Sequence, residues 1–252
     1  MKKQYYKIFV TTGLFFFLTS CVSSKKVLYF QDNETPISKE NFQIFEPSIG
    51  PDDLLTINIA TIDTEAALPF NLYEGMQGAG SLKPLPYLVN KRGEIDFPVI
   101  GTIKVAGFTT DELSERIKTL LKDYLIKPTV NVKLVNFKVT VMGAVKKPGS
   151  YTISSERITI IEALGLAGDL ELQGNRKTVL LVREKEGERI YVTIDLTNKK
   201  LFSSPYYYLA QNDVLYVAPN KVKINSSGVG SNTGVVISSI SILITLVALL
   251  IK

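Results

Sequence analysis

Gly234 to Ile251 is a run of 18 residues without a charged side chain, followed only by Lys252. No other feature limits the fold as much, because such a segment has to be covered by lipid or by other apolar surface. As a helix it would measure roughly 27 Å, close to the hydrocarbon thickness of a thin bilayer. On a wheel of about 100° per residue, Gly234, Ser238, Ser241, Thr245 and Ala248 share one sector. Val236, Ile240, Leu243, Val247 and Leu250 lie opposite, with Ser239 the exception on the apolar side. Small and hydroxyl side chains let helices approach closely in lipid, or line a wet passage. The expectation is a single C-terminal transmembrane helix over residues 234–251, with that small face turned to neighbours or to a lumen. A plain anchor with scattered serines is the alternative. Residues 220–233 (NKVKINSSGVGSNT) read as a polar linker.

The other end carries an export signal. Lys2, Lys3 and Lys7 make a positive start, and Ile8 to Leu18 is an apolar stretch too short to span a bilayer but suited to a signal peptide. Leu18-Thr19-Ser20-Cys21 resembles the bacterial lipobox, and Cys21 is the only cysteine. Residues 1–20 are therefore expected to be removed and Cys21 to become the acylated N-terminus. An ordinary signal with a chance cysteine would leave an unpaired exported thiol. Val22 is not the aspartate that in some bacteria retains lipoproteins in the inner membrane, which favours the outer membrane. Cleavage takes three lysines and no acid from a formal charge of +5, leaving +2, so no nucleic-acid partner is implied.

Between the ends, 45% apolar and 21% charged residues suit folded material. The chain has no histidine. That removes the commonest general base, the Ser-His and Cys-His nucleophile systems and the usual zinc ligand. Neither a catalytic, a cofactor nor a metal site is expected.

Residues 21–48 read as a polar tether that wraps the fold. From Leu54 to Ala60, Leu55, Ile57 and Ile59 alternate with Thr56 and Asn58 as a half-buried strand. Residues 74–86 read as a glycine- and proline-rich loop. Tyr87–Val89 and Glu94–Phe97 read as a hairpin around Lys91-Arg92-Gly93, with a further strand over Thr102–Val105. Thr109 and Glu112 fit a capping box for a helix whose apolar face is Leu113, Ile117, Leu120, Leu121 and Tyr124, ended by Pro128. Val130, Val132 and Leu134 then alternate as a strand.

A second unit begins near Lys138. Val139 and Val141 lead to a Pro148-Gly149 turn and a return over Tyr151–Ile153. Thr159 with Glu162 fits another capping box for a short helix ending at Gly168. Thr178–Arg183 and Arg189–Ile194 read as a hairpin, and Tyr208-Leu209 with Val214–Val217 close the unit. This is the element order of a β-grasp-like domain.

These residues carry a family resemblance. Ile49-Gly50-Pro51-Asp52-Asp53-Leu54-Leu55, then Val89 to Gly101 and Gly107-Phe108-Thr109, resemble the export domain of the outer-membrane polysaccharide export proteins (Wza-type). Val141 to Tyr151, Glu162-Ala163-Leu164, Ala167-Gly168 and Asn212 to Val217 resemble its SLBB module. Asp52 stands where the family often has glycine. Long members carry two SLBB domains, and one is found here, so a shorter ring is expected. The fold class is thus α+β: a mixed-sheet export domain (49–136), a β-grasp-like SLBB domain (137–219) and a single transmembrane helix. The resemblance implies a homo-oligomeric ring in the outer membrane, lipid-anchored, with its folded domains in the periplasm. Capsular or exopolysaccharide would pass through it, supplied by an inner-membrane co-polymerase complex.

Two other classes stand beside the channel. A glycan-binding scaffold lipoprotein would use the SLBB module for docking. A carboxylate enzyme would draw on the close pairs Asp52/Asp53 and Glu94/Asp96, although a glycosidase needs two carboxylates facing across a cleft. Lys146-Lys147 could meet an acidic glycan or simply form a solvated turn. Tyr206-Tyr207-Tyr208 could stack on sugars, or send alternate rings into the core.

Overall fold

The alternation around Leu55 gives the computed structural model its first strand, β1 (Leu54–Ala60), with Leu55, Ile57 and Ile59 buried. Residues 27–31, 47–74, 83–185, 187–221, 223–224 and 233–250 are described. Next along the chain come α1 (Thr64–Ala67), β2 (Tyr73–Glu74), β3 (Lys83–Pro84) and β4 (Tyr87–Leu88). β5 (Glu94–Phe97), β6 (Gly101–Lys104), α2 (Thr110–Leu120) and β7 (Thr129–Leu134) complete the first lobe. β1 lies between β4 and β7, antiparallel to both, and pairs with β7 from Leu55↔Leu134 to Ala60↔Thr129. α2 starts at the expected capping box, with Thr109 and Glu112 exchanging backbone bonds. Its Leu113 and Ile117, with Leu121 just past its end, are fully buried, and Ser114 Oγ donates to the Val130 carbonyl on β7 at 2.7 Å.

Two expectations need correcting here. β5 pairs with β6, not with β4. Val89 exchanges backbone hydrogen bonds with Asp52 and Asp53, which draws its strand onto β1. Asn90 Oδ1 meanwhile accepts the amides of Arg92 and Glu94, and Asn90 N donates to the Glu94 carbonyl, so the Lys91–Gly93 turn closes locally and the strand beyond it pairs onward with β6. The helix is also shorter than its apolar pattern. Residues 121–127 run as turns and bends, and Tyr124 is 57% exposed, edge-on to Phe70. Pro128 disfavours helical backbone in the residue before it, and Lys127 has φ 49°.

The second lobe contains β8 (Lys138–Gly143), β9 (Gly149–Thr152), β10 (Ile158–Thr159) and α3 (Ile160–Leu166). β11 (Gly174–Lys185), β12 (Glu188–Ile194), β13 (Tyr208–Leu209) and β14 (Val214–Pro219) follow. Five strands form a mixed sheet in the order β12-β11-β14-β8-β9, with β14 parallel to β8 and antiparallel to β11. Val139, Val141, Val179, Leu181, Leu215 and Val217 share a core with Ile160, Ala163 and Leu164 of α3. Gly143 has to be glycine: its φ is 92°, and an added Cβ would meet the Val217 carbonyl oxygen at 2.1 Å.

Part of the N-terminal lead is packed on this lobe. Gln31 N donates to the Thr197 carbonyl, Phe30 contacts Phe202 at 4.9 Å, and the Tyr29 hydroxyl donates to Asp169.

The tail is helical as α4 (Thr233–Leu250). Among the described residues, however, no helix is long and apolar enough to cross a membrane. The expected span over 234–251 is therefore not supported by the described residues.

Candidate functional site at the interdomain junction

The lobes meet at Asn136. Its Oδ1 accepts from Leu54 N at 2.9 Å, its Nδ2 donates to the Asp52 carbonyl at 3.0 Å, and its own carbonyl accepts from Gln211 Nε2 at 2.9 Å. Gln211 Oε1 also accepts from Lys138 N, so one side chain from each lobe closes the joint. Leu134 packs against both cores. Beside the joint lies a cleft of about 390 Å³, with Ile49 and Asp111 on one wall, Lys133 and Phe137 at the joint, and Glu156 and Arg157 on the other wall. Charged side chains of both signs around apolar residues make it suitable for a polar ligand, and its walls belong to different lobes.

The acidic pairs named from sequence have local partners. Glu94 pairs with Arg92 at 2.8 Å, and Asp96 accepts from Thr102 Oγ1 at 2.8 Å. Asp52 is an exposed turn residue with φ 67°, the left-handed region that glycine adopts freely. Asp53 is 2% exposed, accepts from Gly50 N at 2.8 Å, and has its carboxyl pushed up by burial.

The same turn recurs in the second lobe. Asn212 has φ 64°, and Asp213 after it is 1% exposed and accepts from Ala210 N at 2.7 Å. Each pair opens a strand, β1 or β14, so Asp53 and Asp213 satisfy the turn amides where those strands begin. Asp213 also receives three hydrogen bonds from Arg183, at 2.7 to 3.2 Å. Burial pushes its carboxyl up, against the pull of that guanidinium. Sequence reasoning missed Arg183 and Asn136. Arg183 could have been found, because it follows Val179 and Leu181 on the buried side of β11.

Lys146 and Lys147 are exposed in a turn whose amides donate to the Asp169 and Ala167 carbonyls. The three tyrosines do not alternate. All are half-buried: Tyr206 and Tyr207 pack against the core, while Arg183 and Arg157 stack over Tyr206 and Tyr208. In α4, Ser238, Ser241 and Thr245 donate to the carbonyls of Gly234, Ile237 and Ser241, and Ser239 does the same to Val235. The hydroxyls on both sides of the wheel are thus satisfied within their own helix. Cys21 and the side chain of Ala248 lie outside the described residues.

Two lobes, each with its own sheet, helix and apolar core and joined at Asn136, define the arrangement. Residues 46–135 match the polysaccharide biosynthesis/export protein family and residues 137–217 match the SLBB domain, meeting at Asn136. The first lobe thus resembles that export family and the second the SLBB domain. It is 30% identical over 132 residues to the EPS I polysaccharide export outer membrane protein EpsA of Ralstonia solanacearum, covering 49% of this chain and 35% of the relative. Against the protein of the same name from Ralstonia nicotianae, identity is 30% over 144 residues, 54% of this chain and 38% of the relative. The exopolysaccharide production protein ExoF of Rhizobium meliloti is 27% identical over 93 residues, 35% of this chain and 22% of that protein. The chain thus spans little more than a third of the length of the first two relatives.

Proposed function

We propose that this chain is an outer-membrane lipoprotein, acylated at Cys21, that assembles into a ring and exports capsular or exopolysaccharide from periplasm to cell surface. The export and SLBB matches, adjoining along one chain, carry this reading. Two relatives named as polysaccharide export outer membrane proteins support the substrate class and the membrane. In this reading the α4 helices of several copies cross the outer membrane together with Gly234, Ser238, Ser241, Thr245 and Ala248 on the inward side. An inner-membrane co-polymerase feeds the periplasmic side, and the chain needs no cofactor.

Export requires a wet passage and no bond-making. The lack of histidine and the local partners of Glu94 and Asp96 support a non-enzymatic role. Deleting the gene is expected to leave polymer undelivered at the surface, whereas Glu94→Gln or Asp96→Asn leaves delivery intact. Loss of export in a folded, assembled Glu94→Gln protein would overturn the non-enzymatic reading. Intact mass is expected to show loss of residues 1–20 with added acyl mass, abolished in Cys21→Ser. Particle images of the detergent extract test the ring, and monomers would sink it.

A further inference from the structure

The start and the end of the second lobe meet at one corner. The Arg176 guanidinium lies under the Tyr29 ring at 5.0 Å and donates to the Gly174 carbonyl at 3.2 Å. Gly174 is the register partner of Pro219, the last residue of β14, and Asn220 N donates to the Gln173 carbonyl at 2.6 Å. The chain therefore arrives over Arg176 and leaves beside Gly174. The joint with the first lobe is at the other end of β14, where Asn212 N donates to the Lys138 carbonyl.

This corner exposes several apolar side chains together with lysines. Leu172 is 78% exposed, Leu28 54%, Ile224 54% and Phe202 39%. Lys177, Lys200 and Lys221 on the neighbouring stretches of chain are exposed, as are the acids Asp169 and Glu171. The lead is held here by the Tyr29 hydroxyl, which donates to Asp169, and by Gln31 N, which donates to the Thr197 carbonyl. Because docking begins so early, little slack is left. From Cys21 to Val27 the chain can reach at most about 21 Å.

We propose that this corner is a lipid-contacting surface that rests on anionic phospholipid headgroups, with Leu172, Leu28 and Phe202 at the acyl boundary. The inference rests on acylation at Cys21. The occupant follows from the short reach of that tether and from the pairing of exposed apolar side chains with exposed lysines.

The test uses the full chain, processed in the cell so that Cys21 is blocked, with Leu172→Cys carrying an environment-sensitive fluorophore. It is reconstituted in vesicles of phosphatidylethanolamine and phosphatidylglycerol brominated in the upper acyl chain. Quenching is expected to be several-fold greater at position 172 than at Ile62→Cys, an 88% exposed site on the first lobe. Leu28→Cys gives an independent second site. Lys177→Glu combined with Lys200→Glu is expected to lower the quenching, and an unchanged signal overturns the anionic assignment. Protein that floats with vesicles while positions 172 and 28 quench no more than 62 overturns the surface but leaves the anchor standing. A blue-shifted but unquenched probe means another protein chain covers the corner, which also overturns it. Protein that fails to float sinks the anchoring reading itself.

Discussion

Arg183 holds Asp213 in a forked ion pair whose closest contact is 2.7 Å, with the carboxylate side chain fully buried and the guanidinium 10% exposed. Arg183 Nη2 also donates to the Tyr208 carbonyl, so one side chain links β11, the β13 strand and the turn before β14. Breaking such a pair from one side leaves a buried charge. Arg183→Met is expected to cost about 3–5 kcal/mol, and Arg183→Met with Asp213→Leu clearly less than the two single changes together. Denaturant unfolding of the four proteins measures this. Additive losses would show that the pair is not coupled.

The left-handed turn at Asp52 gives a second outcome. Asp52→Gly is expected to hold or raise stability, while Asp52→Val, whose branched side chain resists φ 67°, loses about 1–2 kcal/mol. Thermal melts of the two variants decide it. Equal melting points would remove the conformational argument.

Asp53 predicts a pH dependence. Burial raises its folded pKa above the ordinary carboxylate value. Between those two values the folded chain therefore binds more protons than the unfolded one. This carboxyl's contribution to stability is greatest below the ordinary value and falls as pH rises through the folded pKa. Asp53→Asn keeps an acceptor for Gly50 N and cannot ionise. Relative to the unmodified protein it is expected to be more favoured at neutral pH than near pH 4. Stability curves with the opposite slope would contradict the assignment.

The tail is tested by labelling. If α4 crosses the membrane as proposed, cysteine at Ser241 is expected to react with small aqueous thiol reagents where its face lines a lumen, and cysteine at Leu243 to be protected by lipid. Leu243→Ile is expected to be tolerated, and Ser241→Leu to disturb assembly. Equal labelling at both positions would leave only a simple anchor.

Local chemistry in this chain was legible wherever the signal was short-range. Both capping boxes stand where Thr109/Glu112 and Thr159/Glu162 placed them, and β1, β7 and the β11–β12 hairpin follow their alternation. Pairing partners were less legible. Tyr87–Leu88 goes to β1 because Asp52 and Asp53 capture Val89, a contact that no spacing of apolar residues records. The joint was hidden for a similar reason. Asn136 reads as one more polar residue between strands, and only the assembled lobes show that its side chain and carbonyl bind different partners.

The central position of β14 bears on how the protein is made. The other four strands of its sheet precede it in the sequence, yet β11 and β8 meet only through it. During synthesis or translocation the β8–β9 and β11–β12 pairs can form early as separate hairpins. They stay unjoined, each with an open edge, until residues 214–219 emerge. Shortening the chain from its C-terminus is therefore not a neutral way to remove the tail. A stop placed after Pro219 leaves the sheet whole, whereas one placed a few residues earlier leaves two halves with nothing between them.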